Sequence, residues 1–282
     1  MALRFSKLHG AGNDYLFVAA QGDERDWPRL AREMSHRHFG VGADGLILAL
    51  PAEKAHLRMR MFNADGSEGE MCGNGIRCLV RFAFDQGLIP PDTSPVLVET
   101  AAGLKSVTPL WEDGVMVAAR VGMGPPALRP SQVPMRVEGQ GPVKDHPLEV
   151  EGRRFLLTGV SMGNPHAVAF LQEPVDEVPL ERLGPLVERH PLFPRRTNFE
   201  IVNVLGPDHL RVRVWERGSG ITMACGTGAC AVVVAARLHG MVDDEVTVSL
   251  PGGDLTVRWT GSGEVVLQGP VAHVFDGRWP EG

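Results

Sequence analysis

The chain has few cysteines and no long apolar segment. Four of its 282 residues are cysteines, Cys72, Cys78, Cys225 and Cys230, which is far from the dense pattern of a small disulfide-linked domain. No stretch approaches the roughly 18 consecutive apolar residues of a membrane-spanning helix, and residues 1–9 lack the apolar segment of a signal peptide. We therefore expect a cytoplasmic protein that does not bind membranes, with reduced thiols that serve either packing or chemistry.

Positive charge and motifs for metals or nucleotides are also scarce. The formal net charge is −6, and no Lys/Arg cluster is long enough to follow a phosphate backbone, so we expect no nucleic-acid partner. The cysteine spacings, 78 − 72 = 6 and 230 − 225 = 5, differ from the usual Cys-x2–4-Cys pairs of zinc sites. Glycine-rich segments begin at Gly10 and Gly40 but complete no nucleotide-binding fingerprint. We expect neither a metal nor an organic cofactor, pyridoxal phosphate included.

What the chain does contain is an internal repeat. The segment 62–75 aligns without a gap with 215–228, so that the Cys-Gly-x-Gly of Cys72 falls on that of Cys225, at an offset of 225 − 72 = 153. Each is followed by an apolar, helix-like run that stops at a glycine, and these glycines have the same offset, 240 − 87 = 153. Shorter matches at Gly12-Asn13 with Gly163-Asn164 have an offset of 163 − 12 = 151. The sequence therefore predicts a duplicated architecture.

Short strands outnumber helices in both halves. Alternating apolar runs between turn residues predict strands such as 96–100 and 245–250, and periodicity with stop signals predicts helices at 27–36, 77–86 and 229–238. We expect an α+β fold of two pseudo-symmetric lobes, each a mostly antiparallel β-sheet curled around a central helix. With the proline-rich stretch 122–134 as the crossing, one lobe comprises residues 1–122 plus 269–282 and the other 123–268.

A Cys-Gly-x-Gly segment that opens a helix suits proton transfer beside a carboxylate. Glycines allow close approach of the backbone to a ligand, and the unpaired N–H groups of the first turn bind anions. The same position favours the thiolate and is expected to lower the pKa of a cysteine from about 8.5 toward neutrality. Two such lobes facing each other would place Cys72 and Cys225 on opposite faces of one α-carbon, as a racemase or epimerase requires. Cys78 and Cys230 lack this context, and we expect them in the core.

The cysteine motifs belong to a longer ordered series. It comprises His-Gly-Ala-Gly-Asn13-Asp, Gly-Ala-Asp-Gly45, Phe-Asn63-Ala-Asp-Gly-Ser, Met-Cys72-Gly-Asn-Gly-Ile-Arg-Cys, Met-Gly-Asn164-Pro-His166, Arg-Thr-Asn198-Phe-Glu, Trp-Glu216-Arg217-Gly, Ala-Cys225-Gly-Thr-Gly and His-Val-Phe275-Asp-Gly. In content and order the series resembles that of the diaminopimelate epimerase family, and it spans nearly the whole chain. The resemblance implies a cofactor-independent isomerase that interconverts LL- and meso-2,6-diaminopimelate in lysine and peptidoglycan synthesis.

The resemblance also implies roles for individual residues. Cys72 and Cys225 match the two thiols that remove and deliver the α-proton, and His166 and Glu216 resemble residues that tune these thiols. The residues implied to bind the reacting carboxylate are Gly73, Asn74, Gly226 and Thr227. Those implied to bind the amines and the distal carboxylate, through donors and acceptors of both kinds, are Asn13, Asn63, Asn164, Asn198, Glu216 and Arg217.

Three positions of this chain depart from patterns seen within the family. Gly45 stands where some members have Gln, so it offers a substrate no side-chain contact. Ile221 replaces a Glu that is common in the run before Cys225. Phe275 stands where some members have Tyr at a dimer contact, and a homodimer is therefore implied.

Other functions remain open on the residues alone. A proline or hydroxyproline racemase could use the same lobes, although such a substrate has no second zwitterionic end for Arg217 and the asparagines to bind. A non-catalytic amino-acid-binding protein could use the two helix N-termini only to hold a carboxylate. A redox protein could oxidise Cys72 with Cys225. Chirality-resolved turnover and exchange of the α-hydrogen with solvent separate these possibilities.

Overall fold

The computed structural model describes residues 2–20, 22 and 25–280. The chain divides into two compact units, Met1–Gly122 with Gln268–Gly282 and Met123–Leu267. The divisions fall inside two strands, Val115–Gly124 and Val265–Pro270. Each unit has a hydrophobic core of its own.

The first unit is a mixed β-sheet with two helices. Its elements are β1 (Ala2–Gly10), β2 (Asn13–Ala19), α1 (Trp27–Ser35), β3 (Gly45–Leu50), β4 (Leu57–Asn63), β5 (Glu68–Gly69), α2 (Gly73–Asp85), β6 (Val96–Thr100), β7 (Gly103–Glu112) and β8 (Val115–Gly124). Strand β1 pairs antiparallel with β2 and with the last strand of the chain, Ala272–Pro280. The pairs β2–β3 and β4–β6 are parallel, whereas β3–β4, β4–β5, β6–β7 and β7–β8 are antiparallel.

The second unit repeats this plan. Its elements are β9 (His146–Val150), β10 (Arg153–Ser161), β11 (Pro165–Phe170), a 3₁₀ turn (Val175–Glu177), α3 (Leu180–Glu188), β12 (Asn198–Gly206), β13 (His209–Glu216), β14 (Gly220–Ile221), α4 (Gly226–Leu238), β15 (Glu245–Leu250), β16 (Gly253–Arg258) and β17 (Val265–Pro270), and Ala272–Pro280 is β18. The parallel pairs are β11–β12 and β13–β15, the counterparts of β2–β3 and β4–β6. The pairs β9–β10, β10–β11, β12–β13, β13–β14 and β15–β16 are antiparallel.

In each unit one helix is almost entirely buried. Helix α2 packs against β1, β2 and β7, and α4 packs against β10, β11 and β16. All residues from Ala229 to Ala236 are buried, which agrees with a sequence that is apolar on every side of the helix. Gly87 and Gly240 follow the two helices with φ of 64° and 67°, the left-handed conformation in which a glycine ends a helix. These central helices bring the Cys-Gly-x-Gly segments to the interior of their units.

The predicted fold class is confirmed, and most predicted elements occur with small shifts at their ends. The strands 96–100 and 245–250 have the predicted bounds, whereas α2 and α4 begin at Gly73 and Gly226, earlier than predicted. Helix α3 was missed because its Gly184 and Pro185 are both unfavourable in a helix interior. Gly184 lies against Trp215, where an added Cβ would be 2.4 Å from ring atoms. None of the helices in the described part of the chain has the length and apolarity to cross a membrane.

Candidate active site

Cys72 caps the first turn of α2. Its backbone is extended, with φ −128° and ψ 124°, and its Sγ accepts a hydrogen bond from the N–H of Gly75 at 3.4 Å. Its thiol donates to Oδ1 of Asn13, also at 3.4 Å. The thiol is partly exposed and stands at the positive end of the helix dipole. Gly73 and Asn74 form the first helical positions after it, so the predicted carboxylate-binding residues adjoin the predicted catalytic thiol.

Asn13 connects Cys72 to Asn74 and to a carboxylate. Asn74 Nδ2 donates to Asn13 Oδ1 at 3.3 Å, and Asn13 Nδ2 donates to Oδ2 of Asp44 at 2.6 Å. Because an ionised carboxylate only accepts hydrogen bonds, Asp44 fixes the Asn13 amide with its oxygen toward the thiol. No role was predicted for Asp44, although it stands directly before Gly45 in the motif Gly-Ala-Asp-Gly45.

Charged neighbours hold Asp44 in turn. Arg37 Nη2 lies 2.8 Å from both Asp44 and Asp14, and Lys7 Nζ lies 2.8 Å from Asp14. Burial raises the pKa of Asp44, and the charge of Asp14 adds to this effect. Burial acts in the same direction on Asp14, but the hydrogen bonds from Arg37 and Lys7 outweigh it, and the pKa of Asp14 is lowered. The first unit therefore holds Asn13 through a network of ion pairs that is partly exposed.

Arg77 supports the start of α2 from within the core. It is fully buried, and its guanidinium donates to the carbonyl oxygen of Gly73 at 2.9 Å and to Oδ1 of Asn74 at 2.8 Å. An added Cβ at Gly10 would lie 3.0 Å from Nη2 of Arg77, which indicates why β1 carries a glycine there. Arg77 was predicted only as a helical position, since a single arginine in a helix gives no indication that its side chain is buried.

Cys225 occupies the corresponding place in the second unit. It caps α4 with φ −122° and ψ 112°, and its Sγ accepts from the N–H of Gly228 at 3.4 Å. The hydroxyl of Thr227 lies 3.5 Å from the same sulfur. Cys225 is 5% exposed, and Gly226 is buried at the first helical position. The two predicted catalytic residues thus have the same local geometry in separate units.

A chain of hydrogen bonds leads away from Thr227. Asn164 Nδ2 donates to its hydroxyl at 3.2 Å, and Asn164 Oδ1 contacts Nε2 of His166 at 3.0 Å. Nδ1 of His166 lies 2.7 Å from Oε1 of Glu200, and both of these residues are fully buried. The structure therefore brings Asn164 and His166, both predicted, to the Cys225 group. The structure adds Glu200, for which no role was predicted although it ends the motif Arg-Thr-Asn198-Phe-Glu.

Glu216 also belongs to the Cys225 group. Its carboxylate accepts a short hydrogen bond from Thr222 and another from Cys225. Burial raises the pKa of Glu216 despite these bonds. Burial raises the pKa of the Cys225 thiol well above its usual range, and the charges of Glu216 and Glu200 raise it further. The expectation of a lowered pKa is therefore wrong for Cys225, because burial and two carboxylates outweigh the helix N-terminus.

Asn198 and Arg217 lie together beside this group. Asn198 is buried, donates to the carbonyl oxygen of Pro165 at 3.0 Å and accepts from the backbone N–H of Arg217 at 2.8 Å. The exposed Arg217 side chain donates to the carbonyl oxygen of Arg195 at 3.2 Å. No ion pair between Arg217 and Glu216 occurs among the described residues, so the guanidinium is not held by the adjacent carboxylate.

The remaining predicted positions are more peripheral. Asn63 ends β4 and donates to Ser67 at 2.9 Å rather than to the Cys72 group. An added Cβ at Gly45 would lie 2.2 Å from the carbonyl oxygen of Phe62, so the backbone here has closed on a glycine. Ile221 is 38% exposed in β14. Phe275, on β18, is 41% exposed and contacts Phe5 edge-on at 6.1 Å.

The other two cysteines are core residues, as expected. Cys78 and Cys230 are fully buried in the central helices, and burial raises the pKa of Cys78 to about 12. Such thiols stay protonated and unreactive. Within the described ranges no cluster of His, Cys, Asp and Glu has an arrangement suited to a metal ion.

Other proteins of known structure share this fold. A probable proline racemase from Agrobacterium radiobacter superposes with a TM-score of 0.75 at 17% identity, covering 99% of this chain and 93% of the other. A hydroxyproline epimerase from Agrobacterium vitis superposes with a TM-score of 0.73 at 17% identity, covering 99% and 92%. At this identity the likeness shows the fold and nothing of the activity.

Comparison with other protein sequences shows the family to which the chain belongs. The sequence model of diaminopimelate epimerase matches residues 5–128 and 158–274. The chain is 49% identical to the diaminopimelate epimerase of Desulfitobacterium hafniense over 96% of both chains. It is 50% identical to that of Moorella thermoacetica over 99% of both. The chain belongs to the diaminopimelate epimerase family and is an isomerase.

Proposed function

We propose that this protein interconverts LL- and meso-2,6-diaminopimelate with Cys72 and Cys225 as its two acid–base groups. The observation that carries the proposal is the shared geometry of the two thiols. Each caps a helix, accepts a backbone N–H three residues later, and adjoins glycine N–H groups at the first turn. The family of the chain supports the substrate.

The reaction needs one base and one acid at a single α-carbon. One thiolate takes the α-proton, the Cα–H bond breaks, and the electron pair spreads onto the α-carboxylate. The other thiol then gives its proton to the opposite face of the carbon, and the thiol and thiolate have exchanged states. Backbone donors at a helix N-terminus stabilise the charge that develops on the carboxylate. This role falls to Gly73, Asn74, Gly226 and Thr227.

The far end of the substrate is a second zwitterion and needs donors and acceptors. Arg217 is exposed, and no neighbouring carboxylate engages it among the described contacts, so it suits the distal carboxylate. Asn198 orders the backbone of Arg217. We assign the remaining contacts with the amines and the distal carboxylate to Asn13, Asn63, Asn164 and Glu216, and the tuning of the thiols to His166 and Glu216.

Isotope exchange tests the proposed chemistry. In D₂O the protein, reduced and without added cofactor, should place deuterium at the α-carbon of LL-diaminopimelate as the meso isomer forms. Cys72→Ala and Cys225→Ala should each abolish epimerisation, because neither thiol can serve both faces. Cys78→Ala and Cys230→Ala are matched controls, since each removes a buried thiol from the same helices. Epimerisation by either Cys72→Ala or Cys225→Ala would overturn the two-thiol mechanism.

We further propose that the protein acts as a homodimer in the cytoplasm, with Phe275 at the dimer contact. Phe275 is a partly exposed aromatic residue in edge-on contact with Phe5, and it stands where some members of the family have a Tyr at a dimer contact. Phe275→Asp should convert a dimer to a monomer in light scattering. Leu104→Asp, at another exposed apolar residue of the first unit, should leave the mass unchanged. A dimer of unaltered stability in Phe275→Asp would refute this contact.

A further inference from the structure

The two units differ beneath their catalytic loops. An added Cβ at Gly75 would lie 2.5 Å from Cδ1 of Ile47, whereas one at Gly228 would lie 3.0 Å from Oε1 of Glu200. The offset between the glycines, 228 − 75 = 153, equals the offset between these neighbours, 200 − 47 = 153. An isoleucine and a glutamate therefore fill the same place in the two copies of the fold.

Packing alone does not account for the glutamate. Ile47 is fully buried and fills the place without a polar atom, so the fold does not require a carboxylate there. Glu200 is fully buried, and its Oε2 has no hydrogen-bond partner among the described residues. Burying a charged group with an unpaired oxygen is costly. Because Glu200 destabilises the fold at a place where the other copy has the apolar Ile47, we infer that its carboxylate serves the function of the protein.

The carboxylate of Glu200 is directed at the Cys225 loop. A Cβ added at Gly228 would lie 3.0 Å from Oε1 of Glu200 and 3.3 Å from Sγ of Cys225. Its partner His166, 2.7 Å away, reaches that loop only through Asn164 and Thr227 in the described contacts. Of this buried pair, the carboxylate of Glu200 faces Gly228 of the loop directly, and the imidazole of His166 lies further along the chain of hydrogen bonds.

We propose that Glu200 is a positioning residue that keeps Cys225 as the protonated thiol of the pair in the protein without substrate. The inference rests on the proposed function of Cys225. The titratable groups around the thiol are Glu216 from β13, Glu200 from β12 and His166 from β11. Burial is the largest cause that raises the pKa of Cys225, and the two carboxylates act in the same direction. The Cys72 loop has Ile47 in place of this charge.

Titration of the thiol tests the proposal without use of the substrate. In a Cys72→Ala background, the thiolate absorbance is followed against pH, and the Cys72→Ala, Cys225→Ala double variant is subtracted to isolate Cys225. Glu200→Gln should lower the midpoint by about one pH unit or more, because a negative charge near the thiol is removed. Glu200→Asp keeps the charge one methylene further back and should lower the midpoint less.

A second buried glutamate of the same unit is the control. Glu188 is 2% exposed and accepts from Trp215 Nε1 at 2.8 Å. Glu188→Gln should lower the melting temperature and leave the Cys225 midpoint in place. An unchanged midpoint in Glu200→Gln, or an equal shift in Glu188→Gln, overturns the proposal. If Glu200→Gln does not fold, Glu200→Asp decides, since an unmoved midpoint in that variant has the same meaning.

This outcome is distinguishable from a failure of the proposed function. If Cys225→Ala retained epimerase activity, the two-thiol mechanism would be wrong, whatever the titration showed. If Cys225→Ala is inactive but Glu200→Gln leaves the titration of Cys225 unmoved, the mechanism stands and the role of Glu200 is lost.

Discussion

Gly75 lets the Cys72 loop close onto β3, and an added methyl group should disturb both. An alanine Cβ here would lie 2.5 Å from Cδ1 of Ile47, while its other neighbours, Cys72 Cβ and Met59 Cε, are at ordinary distances of 3.4 and 3.5 Å. Overpacking of this kind costs about 1–3 kcal/mol, and the helix propensity of alanine returns up to about 1 kcal/mol. We expect Gly75→Ala to lower the free energy of unfolding by about 1–2 kcal/mol and to reduce kcat, because the N–H of residue 75 also binds the thiol.

Ile47→Val removes the one atom responsible for the overlap. Alone it should cost about 0.5–1.5 kcal/mol, but together with Gly75→Ala it should restore both stability and activity. Urea unfolding of the four proteins of this cycle measures a coupling that we expect to be about 1–2 kcal/mol in the direction of rescue. Gly228→Ala should combine additively with Ile47→Val, since its near contact is Glu200. Additive losses in the Gly75 cycle would refute the packing argument.

Three further outcomes are expected. Arg217→Met should weaken transition-state binding of diaminopimelate by about 2–5 kcal/mol, measured as a fall in kcat/KM. Turnover of an amino acid that lacks a second carboxylate should not change. An equal loss on both substrates would show that Arg217 does not recognise the distal carboxylate. Arg77→Met leaves buried acceptors on Gly73 and Asn74 without this donor and should destabilise the protein in thermal unfolding by about 1–3 kcal/mol for each acceptor, whereas the exposed Arg120→Met should cost less than about 1 kcal/mol. Dialysis against a chelator should leave activity intact under reducing conditions, and recovery that depends on added metal or pyridoxal phosphate would contradict the proposed mechanism.

The internal repeat made the fold predictable, and its offset also predicts one helix that the local sequence pattern does not. Helices α2 and α4 begin 226 − 73 = 153 residues apart, the offset found in the sequence. Helices α1 and α3 begin 180 − 27 = 153 residues apart. The predicted helix α1 and the offset of the repeat together therefore predict a helix at the position of α3. Helix propensity concealed α3, because Gly184 is selected by contact with Trp215 and not by local preference. Packing of this kind between distant residues is invisible in a local pattern.

Within the candidate site, the sequence motifs predicted the cysteines and the residues beside them, but not the carboxylates that hold their neighbours. Glycines next to Cys72 and Cys225 have a local signature, since helix N-termini and close approach depend on neighbours in sequence. Asp44 and Glu200 act through partners 31 and 34 residues away, and their carboxylates look like any others along the chain. The wrong expectation for the pKa of Cys225 has the same origin. The helix N-terminus is a local feature, whereas the burial and the two carboxylates that outweigh it are tertiary.

The duplicated fold offers its own standard for separating structural from functional residues. Positions that are alike in both copies, such as the capping cysteines and the glycines after them, serve what both half-sites must do. Equivalent positions at which the backbone is the same but the side chain differs are candidates for a role in only one of the two units. Tyr15 stands where the second unit has His166, each paired in parallel with the next strand, to Gly45 and to Asn198 respectively. Since one α-carbon must lose its proton on one face and gain a proton on the other, chemically identical half-sites would carry no preference for base or acid. In the mechanism proposed here, the buried carboxylate of Glu200 in place of the apolar Ile47 supplies this preference in the protein without substrate, and the backbone around each thiol stays the same.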